Sequence, residues 1–392
     1  MNNFKWPLME NAITLSDKLK MIQFIIGTDK FTNGPRVKQF EQKWNDWLGA
    51  KYSLFVSSGS TANSLLISSI KELYNLKDGD KVLVPSCTWM TNIAPIIQNN
   101  FQPVFCDISL DNYCINMDDL EIIKTKHPDI KIIFVTHLLG FHCDVEKLRQ
   151  TFPNAIILED CCEAHGVKDN QGNKSGKDSE GATFSFYFGH HMTTIEGGFV
   201  STHNEELYNL MKMKRSHGLA RESSKEKYDF YKKENPEIIP TFLFPTDGYN
   251  FRNNEISAVL GIQQLKRLDN FIKIRNDNYK KYYQYVSEFN HLLYVPEYND
   301  KLSSFALPFV CRNKVTYLKL KSLFTKNKIE FRPLVAGNLL RQPFLKNYSF
   351  AYDKVRYNAD VVHDLGLYIG NNQFINKNNF KTLKDILEEI YD

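Results

Sequence analysis

The chain has 392 residues, 42% hydrophobic and 24% charged, enough for one large core and a second, smaller one. Its net charge is only +4 and no dense Lys/Arg stripe appears, which argues against nucleic acid as the main partner. No run is long and apolar enough to cross a bilayer, and Met1–Pro7 lacks the apolar core of a secretory leader.

Residues 1–50 read as a leading arm and one or two helices, with Val37, Phe40, Trp44 and Trp47 at helical spacing. Tyr52–Val56 is a strand that runs into Ser57-Ser-Gly-Ser-Thr-Ala-Asn63 and then an apolar helix through Leu65, Leu66 and Ile70. A strand, a small-residue turn and a helix N-terminus make an anion site, because unpaired amides and the helix dipole both favour negative charge. The same residue types also cap helices with no ligand present. Lys81–Val84 is the next strand. Ser86–Thr91 then opens a helix toward Ile97 and sets Trp89 at the corner, in the core or as a flat face for a ring. Val104–Asp107, Ile132–Thr136 and Ala155–Leu158 are further strands, with a short helix over Asp144–Thr151. The last of these strands ends in Glu159-Asp-Cys-Cys-Glu-Ala-His-Gly166. An aromatic strand from Phe184 leads to His190 and His191, a Glu196-Gly-Gly198 corner, and a strand over Phe199–Thr202.

Strands alternating with helices imply a parallel sheet covered on both faces, with ligand sites at the strands' carboxyl ends. Ser58–Thr61, Asp160 with Glu163, and His190 all fall on that edge. After residue 203 the pattern changes. Asn204–Arg215 is a helix, and residues 219–247 are polar and expected to form a long loop or flap. Gly248-Tyr-Asn-Phe-Arg252 precedes a helical run through Ile256 and Leu265 that resumes past Asn270 to about Phe289. Ser304–Cys311 opens a smaller unit, with helices over Thr316–Phe324 and Asn379–Ile390. Short strands or turns are expected at Glu330–Pro333 and Leu367–Asn371. The expected division is a large domain, 1–268, and a small C-terminal α/β domain, 269–392.

Five motifs in this order resemble the DegT sugar aminotransferase family, nearly end to end: Ser57-Ser-Gly-Ser-Thr61, Glu159-Asp160, Ser185-Phe186, Glu196-Gly-Gly198 and Gly248–Arg252. The resemblance implies a fold-type I pyridoxal-phosphate (PLP) transferase, its large domain binding the cofactor on a mostly parallel sheet. The family carries a lysine before the Glu-Gly-Gly corner that holds the cofactor covalently. His190 stands at the matching position and cannot form that bond. This substitution is similar to a branch of 3-dehydratases acting on nucleotide-linked 4-keto-6-deoxy sugars. Phe331-Arg-Pro333, Gly337-Asn338 and Gly370-Asn371 look like the members that act on GDP-4-keto-6-deoxymannose. A relative with the same histidine carries an iron–sulfur cluster, but residues 163–310 contain no cysteine to supply its downstream ligands. None of the seven cysteines forms a CxxC pair, so no metal site is expected, and an odd count suggests reduced thiols in a cytoplasm.

The resemblance also implies roles. A PLP-type ring needs an acid beside its pyridine nitrogen, and Asp160 fits. Gly59, Ser60 and Thr61, with Ser185, would bind the phosphate; Trp89 would stack on the ring, and Glu163 would meet its 3-hydroxyl. Asn250 would reach the phosphate from a neighbouring subunit, which implies a homodimer with shared sites. His190 would be the general base, since an imidazole is largely unprotonated near neutrality. His217, Arg252 and Arg332 are candidates for the nucleotide sugar, and His191 for structure. The expected reaction is loss of the C3 hydroxyl in dideoxysugar (O-antigen, lipopolysaccharide) biosynthesis, with L-glutamate restoring pyridoxamine phosphate (PMP). The alternatives are a sugar-nucleotide aminotransferase and a non-catalytic PLP-fold binding protein.

Overall fold

Short apolar runs bounded by turns become strands in the computed structural model, which describes residues 5–177, 179–352 and 358–391. Those of the first half are β1 (Tyr52–Val56), β2 (Lys81–Pro85), β3 (Gln102–Cys106), β4 (Ile130–Thr136), β5 (Ile156–Asp160), β6 (Gly181–Ser185) and β7 (Gly198–Thr202). Those of the second half are β8 (Leu293–Tyr294), β9 (Ala306–Cys311), β10 (Phe331–Pro333), β11 (Ala351–Tyr352) and β12 (Gly366–Gly370). The large sheet runs β1-β7-β6-β5-β4-β2-β3-β11. Its pairs are parallel from β6 through to β11, and β7 is antiparallel to both neighbours. β7 returns antiparallel to β6 through the loop 186–197, which contains no helix. A second, antiparallel sheet runs β10-β12-β9-β8.

β6 and β7 are buried along their whole length, as expected of strands covered on both faces. One face is covered by the helix Gly59–Leu73, which packs on β6 and β7. On the other lies an aromatic layer in which Trp44, from the helix Pro35–Leu48, stacks on Phe199 with centroids 5.1 Å apart. Phe40, Phe55, Phe184 and Phe186 complete that layer. Each such buried side chain contributes roughly 1.5–3 kcal/mol, so this layer is a firm base for the β6–β7 loop that carries His190.

Three local readings change. The segment expected to be a loop, 219–247, contains a helix, Lys225–Glu234, capped by Ser224. None of its residues is buried, so it has no apolar stripe that would reveal it in the sequence. The helix expected from residue 86 is a single 3-10 turn, Met90–Asn92, followed by the short helix Ala94–Gln98 with Pro95 in its first turn. Two helices, Leu120–Lys126 and Asn358–Leu365, are additional to the reading. The leading arm docks on the second sheet's unit: Trp6 is fully buried, bridges Ile329, and donates from Nε1 to the Gly370 carbonyl at 2.9 Å.

Candidate active site

The carboxyl ends of β5 and β6, the start of the helix Gly59–Leu73 and the second sheet enclose a cavity of about 380 Å³. Ser58 caps that helix: its Oγ accepts from the Thr61 amide at 3.1 Å, while the Thr61 Oγ accepts from the Ser58 amide at 2.9 Å. The amides of Gly59 and Ser60 have no acceptor among the described residues, as befits the first turn of a helix, and both residues line the cavity. Thr61 does not line it; its amide and hydroxyl are taken up by the cap. A Cβ on Gly59 would stand 2.7 Å from the Ser185 Cβ and 2.9 Å from the Cys162 Sγ. The absence of a side chain therefore lets the helix end press against the exit of β6.

Asp160 ends β5 and is 4% exposed. Its Oδ2 accepts from the Asn63 and Asn92 side-chain amides at 2.9 and 2.7 Å, and its Oδ1 from the Cys162 amide at 2.8 Å. Thr88 fixes the Asn92 amide by donating to its Oδ1 at 2.8 Å. Sequence reasoning missed Asn63 and Asn92. The signal for Asn63 was a carboxamide on a helix face otherwise filled by Leu66, Ile67 and Ile70.

The Cys162 carbonyl faces the other way and meets His190 Nδ1 at 2.5 Å. A carbonyl can only accept, so Nδ1 carries the proton and Nε2 keeps its lone pair. His190 lines the cavity beside Phe305, with ring centroids 5.3 Å apart. Desolvation, with the nearby Arg275 cation, pushes its pKa down to about 4, against the opposing effects of the Cys162 carbonyl and Asp160. Glu163 also lines the cavity and accepts from the Leu139 amide at 3.0 Å. Burial and the Asp160 charge push its pKa up to about 7. Among the described residues, no lysine lines the cavity.

Trp89, Ser185 and Arg332 line the cavity too, and Trp89 is 55% exposed. Arg332 lies across from Tyr368 in the β10–β12 pair. The other three candidates lie elsewhere. Asn250, His217 and Arg252 group on the surface, with Arg252 hydrogen-bonded to Asn250 Oδ1 at 3.1 Å and to His217 Nε2 at 3.3 Å. None of them lines this chain's own cavity. His191 is buried against the Ser303 carbonyl at 3.2 Å.

These residues fit a PLP-type cofactor. Free helix-end amides and the Ser185 hydroxyl suit a phosphate, a buried carboxylate suits a pyridinium nitrogen, and an exposed indole suits a flat ring. Beside β5, His137, Glu159 and Cys161 gather closely enough to hold a metal ion. There His137 Nδ1 accepts from the Cys143 amide at 3.1 Å, so its Nε2 carries the proton and donates to Glu159 at 2.8 Å. Neither ring nitrogen has a lone pair left for a metal.

The model of the DegT/DnrJ/EryC1/StrS aminotransferase family matches residues 13–370. The chain belongs to that family. Like other DegT-type members, it has the fold-type I architecture of PLP-dependent transferases. It is 33% identical to GDP-4-keto-6-deoxy-D-mannose 3-dehydratase of Yersinia pseudotuberculosis over 95% of each chain. Among solved structures it is similar to the Escherichia coli GDP-4-keto-6-deoxy-D-mannose-3-dehydratase with bound hydrated PLP. That match has a TM-score of 0.91 at 30% identity and covers 98% of this chain and 99% of that one. A histidine-to-asparagine variant of GDP-4-keto-6-deoxymannose-3-dehydratase with bound GDP-perosamine matches with a TM-score of 0.89 at 30% identity, covering 98% of this chain and 100% of that one.

Proposed function

We propose that this DegT-type enzyme is a PLP/PMP-dependent 3-dehydratase that removes the C3 hydroxyl of GDP-4-keto-6-deoxymannose, with L-glutamate as the amino donor. The observation that carries this reading is His190: a neutral imidazole with Nε2 free stands in a cavity lined by no lysine among the described residues. When bound, PMP supplies an amine for the sugar's C4 ketone and a ring that takes up electrons.

The chain's own residues supply the rest. Gly59, Ser60 and Ser185 would hold the phosphate, and Asp160, kept in place by Asn63 and Asn92, would partner the ring nitrogen. Trp89 forms a flat wall, and Glu163 lies where it can meet the ring hydroxyl. His190 Nε2 would accept a proton from the cofactor's C4′ carbon and return it to the departing C3 hydroxyl, which would leave as water. One residue serves both steps because Cys162 holds its other nitrogen in a fixed tautomer. Arg332 sits at the small-sheet side of the cavity and would meet the nucleotide diphosphate.

We infer further that the enzyme is a cytoplasmic homodimer with shared sites. All seven cysteines are free thiols, which suits a reducing compartment. Leu15, Leu19, Ile22 and Ile26 lie on one face of the helix Leu15–Ile26 and are 50–82% exposed, an apolar stripe suited to a second copy. Asn250 lies outside its own chain's cavity, so it can serve a phosphate only across such an interface. The division at residue 268 is proposed with two crossing segments: Trp6 docks on the C-terminal unit, and β11 pairs with β3 of the large sheet.

The test is incubation with GDP-4-keto-6-deoxymannose, PLP and glutamate. The expected products are ammonia and 2-oxoglutarate in equal amounts, with a sugar nucleotide lighter by one oxygen. A 4-amino sugar nucleotide would assign an aminotransferase instead.

A further inference from the structure

Arg275 lies on the helix Leu268–Val286, 4% exposed and outside the cavity lining. Its Nη1 donates to the carbonyls of Phe305, at 2.9 Å, and Asn371, and its Nη2 donates to the His190 carbonyl at 3.3 Å. Asn371 returns a bond from Nδ2 to the Arg275 carbonyl at 2.9 Å and another to the Ser304 hydroxyl at 2.9 Å. Asn278 in turn donates to Asn371 Oδ1 at 3.1 Å. No carboxylate pairs with the guanidinium among the described residues, and its Nε is buried without a partner. A buried cation held only by carbonyls costs stability that a neutral side chain of similar size would spare.

We propose that Arg275 is a positioning residue for His190: it ties the histidine's carbonyl to the residue before β9 and the residue after β12, so the second sheet's unit fixes where the imidazole stands. The inference rests on the reading of His190 as the base. Phe305 joins the two ends of this tether, since its carbonyl binds Arg275 while its ring packs on His190. The groups facing the imidazole are Asp160 from β5, Cys162 and His165 from the loop after it, Tyr187 and His191 from its own loop, and Arg275. Arg275 is the one fixed cation in that set, and its charge opposes imidazolium formation, which keeps the Nε2 lone pair available.

The experiment compares R275M, R275Q and R275K as PLP-loaded enzyme. In R275M the affinity for PLP should stay within about twofold, because Arg275 does not line the cavity, while kcat falls about tenfold or more. The acid limb of the kcat/KM profile should move toward neutral pH by roughly one unit. R275K should restore the acid limb and only part of kcat, since one ammonium cannot bind three carbonyls in the guanidinium's fork geometry. Wild-type kcat in folded R275M overturns the proposal. So does a loss of kcat with an unmoved acid limb, which means that Arg275 merely braces the fold. If R275M does not fold, R275Q carries the same test with the same outcomes. H190N separates the two readings: if it keeps wild-type turnover, the base assignment fails; if it is inactive while R275M is wild type, only the present inference fails.

Discussion

An imidazole can accept a proton, but it cannot make the carbon–nitrogen double bond that a lysine makes with an aldehyde. At residue 190 that difference separates a tethered cofactor from one free to leave and reload. His190 and its acid neighbour Asp160 were legible in the sequence because both follow apolar strands, where side chains meet ligands. Asn63, Asn92 and Arg275 were not, because each acts through a hydrogen bond to a residue far along the chain. Replacing His190 by Asn should lower kcat by about 10²- to 10⁴-fold and leave PLP affinity nearly unchanged in equilibrium binding. Equal losses in both would mean that His190 holds the cofactor rather than moves protons. The ring should also titrate far below an ordinary histidine, since burial and the Arg275 charge take its pKa down to about 4. An NMR titration should find its Cε1 proton unprotonated-like from pH 8 to about 5; a midpoint near 6.5 would contradict the buried geometry.

At the scale of elements, the meeting of the Gly59–Leu73 helix with β6 forms the proposed phosphate end of the site. The sequence revealed the strand–turn–helix pattern but not the division of labour within it. Serine and threonine at a helix start serve equally as caps or as ligand donors. Only the packing separates Thr61, used in the cap, from Gly59 and Ser60, which face the cavity. Gly59→Ala should force the helix end away from Ser185 and Cys162, raising the Kd for PLP about tenfold. It should also cost roughly 1–3 kcal/mol in urea unfolding. Unchanged affinity would show that the helix end does not bind the phosphate. The exposed helix Lys225–Glu234 was illegible for a different reason: a helix with no buried face leaves no periodic signal.

For the whole molecule, the parallel sheet and the second unit followed from strand–helix alternation, whereas the docking of the leading arm did not. The buried Trp6 indole anchors that contact across the length of the chain, with the Trp6 backbone bonded to Lys328 and Glu330 and the Leu8 amide to the Glu330 carboxylate. His142, His165, His190 and His191 all have pKa values lowered by burial. The unfolded chain therefore binds more protons than the folded one below about pH 6.5, and stability falls as pH drops through that window. Glu163, raised to about 7, acts in the opposite sense, as do the raised carboxyls of Asp107 and Glu196, while burial also lowers His363 and adds it to the other side. The urea midpoint should thus be lower at pH 5 than at pH 7.5; a higher one would mean that these rings are charged in the native state. On the proposed homodimer with shared sites, L19E and I22E together should give a monomer in sedimentation and abolish turnover; an active monomer would contradict the proposed sharing.

The claim on which the rest depends is that residue 190 carries a base where the family keeps a tether. Intact-mass spectrometry after borohydride reduction, on PLP-loaded wild type and His190→Lys, tests it directly. The expected result is an unmodified wild-type chain and one stoichiometric cofactor adduct, mapped to residue 190, in the variant. A stoichiometric adduct on the wild-type chain, or none on the variant, would contradict it.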